Sequence, residues 1–299
     1  MSLLPQIRKK VDIIVCMLAV QLALYFIVPS VTGRINTFID TEGVVRDVVD
    51  AAFYVIRFTV PLCVFYILRA LIVKEPLPRS DVRLPAKYGV LLFFAGFMLI
   101  FMLGNVYFAL FPAAGCAKYY NAEAGIWENV LNLLLFVLVP VFIEEIMFRR
   151  MILPELTVFG YYPAVLFSAM LFGLMYYDIE MFPYAFVVGV TVGAVYLKKR
   201  SVWHTVLIRA VSESLLFFMH AARISLPEKT YIITVIAVFA VAIAFGLFSI
   251  IKLISDKGLD LFLENQTPQV AAAATGFFTW PMTIYLAAAA ATAWVRAFI

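Results

Sequence analysis

Residues 126–148 read IWENVLNLLLFVLVPVFIEEIMF, a largely apolar run that contains two adjacent glutamates near its end. An apolar run of about 17–25 residues is long enough to cross the hydrocarbon core of a bilayer as a helix. The chain carries further runs of this kind at 11–29, 51–73, 88–111, 162–177, 182–197, 201–222, 230–254 and 270–295. The sequence therefore predicts an all-α, polytopic transmembrane helical bundle of about eight to nine spans.

The composition of the 299-residue chain points the same way, because 65% of it is hydrophobic and only 14% is charged. Soluble domains carry about 25% charged residues, and a chain this apolar cannot cover its own surface in water. The high hydrophobicity also excludes intrinsic disorder. We expect a single membrane domain over 1–299, with a core at approximately 126–222 and flanking spans at 11–111 and 230–295.

The distribution of basic residues predicts the orientation of the chain. If the N-terminus is cytoplasmic and each run crosses the membrane, 14 Lys and Arg residues face the cytoplasm and 6 face the opposite side. Such an excess on one side is the positive-inside pattern of integral membrane proteins. The first run shows no small-residue cleavage site, so we expect a retained helix rather than a signal peptide. The expected location is the plasma or cytoplasmic membrane.

Several kinds of partner and cofactor are not expected. The net charge is +4, and no basic run is long enough to suggest a nucleic-acid partner. The three cysteines lie far apart, which argues against a disulfide framework or a zinc-thiolate site. The two histidines, His204 and His220, sit about 24 Å apart on one predicted helix. We therefore expect no metal and no cofactor, and the expected partner is the membrane lipid bilayer.

Charged residues inside two of the apolar runs mark a candidate functional site, because ionisable groups in a bilayer core are costly and rare. Glu145 and Arg149 are spaced i, i+4 and can pair, as can Arg209 and Glu213. Glu144 is turned about 100° away from Glu145 and is available as a general base. The alternative interpretation of this pattern is a structural ion pair that closes the end of a helix.

Helix geometry predicts that four polar side chains lie at similar depth in the membrane. At about 1.5 Å of rise per residue, Glu144, Tyr176, Arg209 and Glu213 all fall roughly 12–21 Å from the cytoplasmic ends of their spans. They are therefore expected to line one cavity that opens to the cytoplasm. A serine-type site is not supported, because GxSxG is absent and no histidine lies at this depth.

Three segments in order along the chain carry a family resemblance. Residues 144–149 read EEIMFR, residues 162–176 contain Ser168, Phe172 and Tyr176, and residues 189–203 follow the pattern Gly-x-x-x-Gly…Tyr…Ser-Val-Trp. They resemble the EExxxR, Ser…Phe-x-x-x-His and Gly-x-x-x-Gly…Tyr…Ser-Leu-Trp segments of the CPBP intramembrane proteases (CAAX proteases and bacteriocin-processing enzymes). That family includes the type II CAAX prenyl endopeptidases.

The resemblance implies roles for residues at the matching positions. Glu144 takes the position of the glutamate that activates water, while Glu145 and Arg149 take those of a structural pair. A family histidine on the next helix, which assists the reaction, is replaced here by Tyr176. The later His-x-x-x-Asn pair, which stabilises the oxyanion or binds the substrate carbonyl, is missing as well.

Arg209 and Glu213 stand at the positions of that histidine and asparagine. Arginine does not release its proton in proteins, and tyrosine, with a usual pKa near 10, is a poor proton acceptor at neutral pH. The two replacements add one positive and one negative charge, and buried charges need partners. We therefore expect an ion chain Glu144–Arg209–Glu213 that occupies the glutamate needed for general-base work.

Three functions follow from these patterns. The preferred one is a degenerate family member, a scaffold that binds a membrane-anchored or lipidated peptide or protein and hydrolyses it poorly or not at all. The runner-up is an active glutamate-type intramembrane endopeptidase that uses Glu144. The third, from another class, is a transporter or channel whose intramembrane charges form a relay.

Overall fold

The structure, a computed structural model, describes residues 3–39, 44–74, 85–111, 119–123, 125–256 and 276–298. Within these ranges the chain is helical and contains no strand, so the predicted all-α class is confirmed. The helices are α1 (Leu3–Ile39), α2 (Val44–Ile72), α3 (Ala86–Leu110), α4 (Ile126–Phe159), α5 (Tyr161–Leu174), α6 (Met181–Lys199), α7 (Val202–Ser225), α8 (Glu228–Ser255) and α9 (Trp280–Phe298).

Seven of these helices are long and apolar enough to cross a membrane, namely α1 to α4 and α6 to α8. Helix α5 has 14 residues, which gives it a length of about 21 Å against a hydrocarbon core of about 30 Å. Helix α9 is not among the seven, and the first part of the run predicted at 270–295 lies outside the described residues. The predicted transmembrane helical bundle is confirmed. Among the described residues, seven helices are long enough to span the membrane, fewer than the eight to nine spans predicted from the apolar runs.

Helix α4 is longer than predicted and contains two widened turns. It continues to Phe159 instead of ending near residue 148. Its backbone is π-helical at Leu133–Leu138 and at Ile146–Ile152, and each stretch ends two residues before a proline, Pro140 or Pro154. A proline lacks the N–H of the ladder and its ring presses on the carbonyl four residues earlier. The wider π turn relieves both constraints, and the glutamate pair lies between the two stretches.

The chain divides into two compact units, and the boundary falls inside α4. The first unit comprises Met1–Pro78, Ile146–Phe182 and Thr267–Ile299, and the second comprises Arg79–Glu145 and Pro183–Gln266. The first half of α4 therefore belongs to the second unit and its second half to the first. The single membrane domain with a core at 126–222 stays a prediction.

In the first unit, α1 packs against α2 and α9, and an ion cluster around the buried Glu155 connects three helices. The carboxylate of Glu155, at the end of α4, lies 2.5 Å from Arg69 Nε on α2 and 3.3 Å from Lys10 Nζ on α1. Phe167 of α5 stacks on Phe277 with the ring centroids 3.9 Å apart. Charge and aromatic contacts thus complement apolar burial in this unit.

In the second unit, α3 packs against both α7 and α8. A buried apolar cluster joins α3, α4, α7 and α8, and its members are Phe101, Leu133, Val137, Leu216, Phe217, Met219 and Ala242. Gly104 allows α3 and α7 to approach closely, because a Cβ atom at this position would lie 2.5 Å from Leu216 Cδ1. This packing fixes α7 against the first half of α4, where the candidate site lies.

Candidate functional site

The side chain of Arg209 on α7 is surrounded by three carboxylates of the second unit. Its Nη1 donates to Glu144 Oε2 at 2.9 Å and to Glu145 Oε1 at 3.2 Å. Its Nη2 donates to Glu213 Oε1, one turn further along α7, at 3.2 Å. The predicted chain Glu144–Arg209–Glu213 is therefore confirmed as a set of contacts, and Glu145 is an additional member. We call these four side chains the Arg209 cluster.

The Arg209 cluster is buried. The Arg209 side chain is 3% exposed, those of Glu144 and Glu145 are 2% and 0% exposed, and that of Glu213 is 11% exposed. In this setting the hydrogen bonds are charge-assisted and little screened by solvent. With every carboxylate ionised, the four side chains carry a formal charge of −2, from three negative charges and one positive. The cluster is therefore an acidic site held around one fixed cation.

Local packing explains why these side chains meet. Glu144 and Glu145 follow Pro140 in the α-helical stretch Val139–Glu145, and Arg209 and Glu213 share one face of α7 because they are one turn apart. The apolar cluster holds both helices a turn or two away from the charges. The charged groups therefore meet at the interface between α4 and α7, and the apolar residues fix the position of this interface.

Arg149, the last residue of the EEIMFR segment, has its partners in the first unit. Its side chain is fully buried, and Nη1 donates to Ser168 Oγ on α5 at 3.2 Å. Its guanidinium carbon lies 5.4 Å from the centre of the Phe172 ring, a cation–π arrangement. Phe148 also packs edge-on against Phe172, with centroids 5.1 Å apart. Two of the three family-like segments are thus in contact, through Arg149 and Phe172.

Tyr176 lies in a turn and not in a helix, which corrects the predicted run 162–177. Helix α5 ends at Leu174, and Tyr177 follows with a φ of 49°, a left-handed conformation that stops a helix. Asp178 then accepts the backbone N–H groups of Glu180 and Met181 at the start of α6. The Tyr176 ring packs edge-on against Phe172, with the centroids 5.6 Å apart.

The two histidines lie away from the Arg209 cluster and take part in packing. His204 Nε2 is 2.7 Å from the carbonyl oxygen of Gly89 on α3, and His220 lies edge-on to Tyr120. Among the residues that the structure describes, no group of three or more His, Cys, Asp or Glu side chains is arranged to hold a metal ion.

Two contacts of these side chains were not predicted from the sequence. Glu145 was expected to pair with Arg149, a contact that stays a prediction, and its bond to Arg209 was not anticipated. The Ser168 hydroxyl was noted only as part of a motif, and its bond to Arg149 was missed. The charge count could have predicted the Glu145–Arg209 bond. Buried carboxylates need partners, and one arginine was available to three of them.

A comparison with protein-family models gives one match. Residues 126–215 match a model described as type II CAAX prenyl endopeptidase, Rce1-like. This part of the chain is therefore similar to the Rce1-like endopeptidases, in agreement with the resemblance to the CPBP family that the three sequence segments indicated. The matched stretch covers both halves of α4 and ends just after Glu213, so it contains every member of the Arg209 cluster. No curated protein and no solved structure matches the chain.

Proposed function

We propose that this Rce1-like protein is a weakly hydrolytic or non-hydrolytic scaffold that binds a membrane-anchored peptide or a lipidated protein. The single observation that carries the proposal is the 2.9 Å contact between Arg209 Nη1 and Glu144 Oε2. A general base has to present a lone pair to the water it activates. Here that oxygen already accepts a hydrogen bond from a cation that cannot take up a proton.

The contact is hard to displace, because Arg209 is shared. The same guanidinium also binds Glu145 and Glu213, at 3.2 Å in each case. Moving Arg209 away from Glu144 would weaken all three bonds at once, and separating a buried ion pair costs about 3–5 kcal/mol. Water and substrate therefore meet a glutamate whose ion pair has to be broken first.

The expected loss of rate follows from the missing partners. Loss of an acid–base partner costs about 10²–10⁴ in rate, and loss of an oxyanion donor costs about 10²–10³. If the two losses multiply, an ordinary turnover number near 10 s⁻¹ falls to about 10⁻³ s⁻¹ or below. Such an activity is too slow to be the main role of the protein.

Binding has separate support. The matching family model is described as a prenyl endopeptidase, a name that implies a lipidated peptide as substrate. The long apolar helices imply a lipid bilayer environment. Arg149, the last residue of the EExxxR-like segment, contacts Ser168 and Phe172 of the second family-like segment. The cytoplasmic N-terminus belongs to this proposal and rests on the distribution of basic residues.

A second candidate is an active glutamate-type endopeptidase. One observation favours it: Glu144 and Glu145 are both retained and buried beside a fixed cation. Arg209 could then stabilise the oxyanion of a tetrahedral intermediate in place of neutral donors. In that case Arg209 would have to turn toward the substrate during each turnover.

The test measures binding and cleavage on the same sample. The purified protein in detergent or nanodiscs is given a fluorescent, prenylated peptide; anisotropy follows binding and peptide fragments follow cleavage. We expect saturable binding, with cleavage at about 10⁻³ s⁻¹ or below. The triple variant Y176H/R209H/E213N restores the family's residues, and we expect it to cleave at least about a hundredfold faster than the starting protein. Absence of peptide binding by the folded protein would overturn the scaffold role.

A further inference from the structure

A lateral groove in the first unit lies outside the proposed peptide site. It runs between α1 and α9 and has a volume of about 450 Å³. Its wall is apolar apart from one arginine and two hydroxyl groups, and the lining residues are Tyr25, Phe26, Ala291, Thr292, Val295 and Arg296. Phe26 and Val295 are 56% and 49% exposed. An apolar wall that remains this exposed in a membrane protein faces lipid.

Two arginines of the same unit meet at the ring of Tyr25, on the edge of the lateral groove. Arg296 Nη1 donates to the Tyr25 hydroxyl oxygen at 3.0 Å. The Arg57 guanidinium carbon lies 4.6 Å from the centre of the Tyr25 ring, and its buried Nε has no hydrogen-bond partner among the described residues. The carboxylate nearby is Asp178, 3.7 Å from Arg296. The three charged side chains sum to +1.

The depth of these arginines in the membrane can be judged against a second group of charged side chains in the same unit. Lys10, Arg69 and Glu155 form the ion cluster described above. Tyr25 lies 15 residues after Lys10 on α1, and Arg57 lies 12 residues before Arg69 on α2. At 1.5 Å per residue, these separations are about 22 Å and 18 Å. The charged group at Tyr25 and the ion cluster at Glu155 are thus about 20 Å apart along both helices, compared with a hydrocarbon core of about 30 Å.

This spacing puts the two groups of charged side chains toward opposite faces of the bilayer. Arginine side chains in such positions reach outward to the headgroup layer, where lipid phosphates lie. Guanidinium groups match phosphate oxygens in geometry and charge. Arg296 is suited to this role, because its side chain is 48% exposed although it contacts Tyr25 and Asp178.

We propose that the lateral groove binds one anionic phospholipid of the bilayer. Its phosphate contacts Arg296, with the Arg57 charge behind Tyr25 adding to the attraction, and one acyl chain lies along Phe26, Ala291 and Val295. Charge complementarity selects an anionic headgroup over a zwitterionic one. The apolar wall selects a lipid over free phosphate. The lipid holds α1 against α9 and so stabilises the first unit.

The test compares lipids and variants by native mass spectrometry. Detergent-solubilised protein is titrated with phosphatidylglycerol and, separately, with phosphatidylcholine. We expect one phosphatidylglycerol to bind with at least about tenfold higher affinity than phosphatidylcholine. R296Q removes the phosphate contact and is expected to lower phosphatidylglycerol affinity about tenfold or more. A291W fills the groove and is expected to abolish binding while Arg296 is intact.

The matched control is R223Q, which removes an exposed arginine at the end of α7 in the second unit and is expected to bind phosphatidylglycerol as before. Circular dichroism of each variant checks that it is folded. Three results would overturn the proposal: unchanged phosphatidylglycerol binding in both R296Q and A291W, equal binding of the two lipids, or displacement of the bound lipid by inorganic phosphate alone.

Discussion

Replacement of Arg209 by methionine should destabilise the second unit strongly. Methionine approximately keeps the length of the side chain but removes the charge that three carboxylates share, and all four side chains are nearly buried. Removing one partner of a buried ion pair costs about 3–5 kcal/mol, because the remaining charges stay buried without compensation. For a chain of this size, 1 kcal/mol corresponds to about 2–4 °C in melting temperature. We therefore expect a decrease of about 6–20 °C.

The assay is thermal unfolding of purified protein in one detergent, followed by circular dichroism and by fluorescence. R223M, which changes an exposed arginine on the same helix, is the matched control and should melt within about 2 °C of the starting protein. The combined variant R209M/E144Q/E145Q/E213Q removes all four charges together, and we expect it to recover at least half of the loss.

A shift below about 2 °C for R209M would refute the inference that the Arg209 cluster carries buried electrostatic energy. Failure of the combined variant to recover stability would also count against it. In that case the loss would come from packing around the arginine stem and not from unpaired carboxylates.

Three further predictions concern other parts of the chain. Glu155→Gln leaves the buried Arg69 and the partly exposed Lys10 without their shared carboxylate, and we expect a stability loss of about 3–5 kcal/mol by thermal unfolding. Gly104→Ala forces Leu216 to move, because its Cδ1 lies 2.5 Å from the added Cβ, and should cost about 1–3 kcal/mol in the same assay. The pKa of Asp256 lies below its ordinary value of 3.8 because Lys252 donates a hydrogen bond to it. Its contribution to stability is therefore present above that value and lost as the pH falls through the lowered pKa, so the melting temperatures of the starting protein and Asp256→Asn should converge in acid.

Each of these predictions has a control and a contrary outcome. Glu123→Gln changes an exposed glutamate and should leave the melting temperature unchanged; equal effects of the two glutamate variants would contradict the role of Glu155. An unchanged melting temperature for Gly104→Ala would show that Leu216 moves at no cost. A constant difference between the Asp256 variants at every pH would contradict the charge-based explanation.

The sequence was sufficient for the helices and for part of the charge network. Apolar runs predicted the helical class because a bilayer demands internally satisfied backbones. The pairing of Arg209 with Glu213 followed from helical spacing, since i and i+4 share a face. The Glu144–Arg209 contact spans 65 residues and was predicted because buried charges need partners, and not because of any local pattern.

Other contacts could not be read from the sequence. Glu155 meets Arg69 across 86 residues, and apolar patterns alone do not specify which distant helices lie side by side. The widened turns of α4 were also missed, although the prolines that accompany them are visible. π-Helical stretches end two residues before Pro140 and Pro154. Such a turn changes which side chains share a face of the helix. The expected pairing of Glu145 with Arg149 assumed a regular α-helix between the two residues.

The occupation of Glu144 by Arg209 is tested most directly by one rate comparison. The initial rate of cleavage of a prenylated fluorogenic peptide is measured for the starting protein and for Glu144→Gln, at equal protein concentration and in the same membrane mimic. We predict that the two rates coincide at the background level, because the glutamate is held in an ion pair and does not activate water. A rate for the starting protein at least tenfold above that of Glu144→Gln would contradict this and would identify the protein as an active endopeptidase.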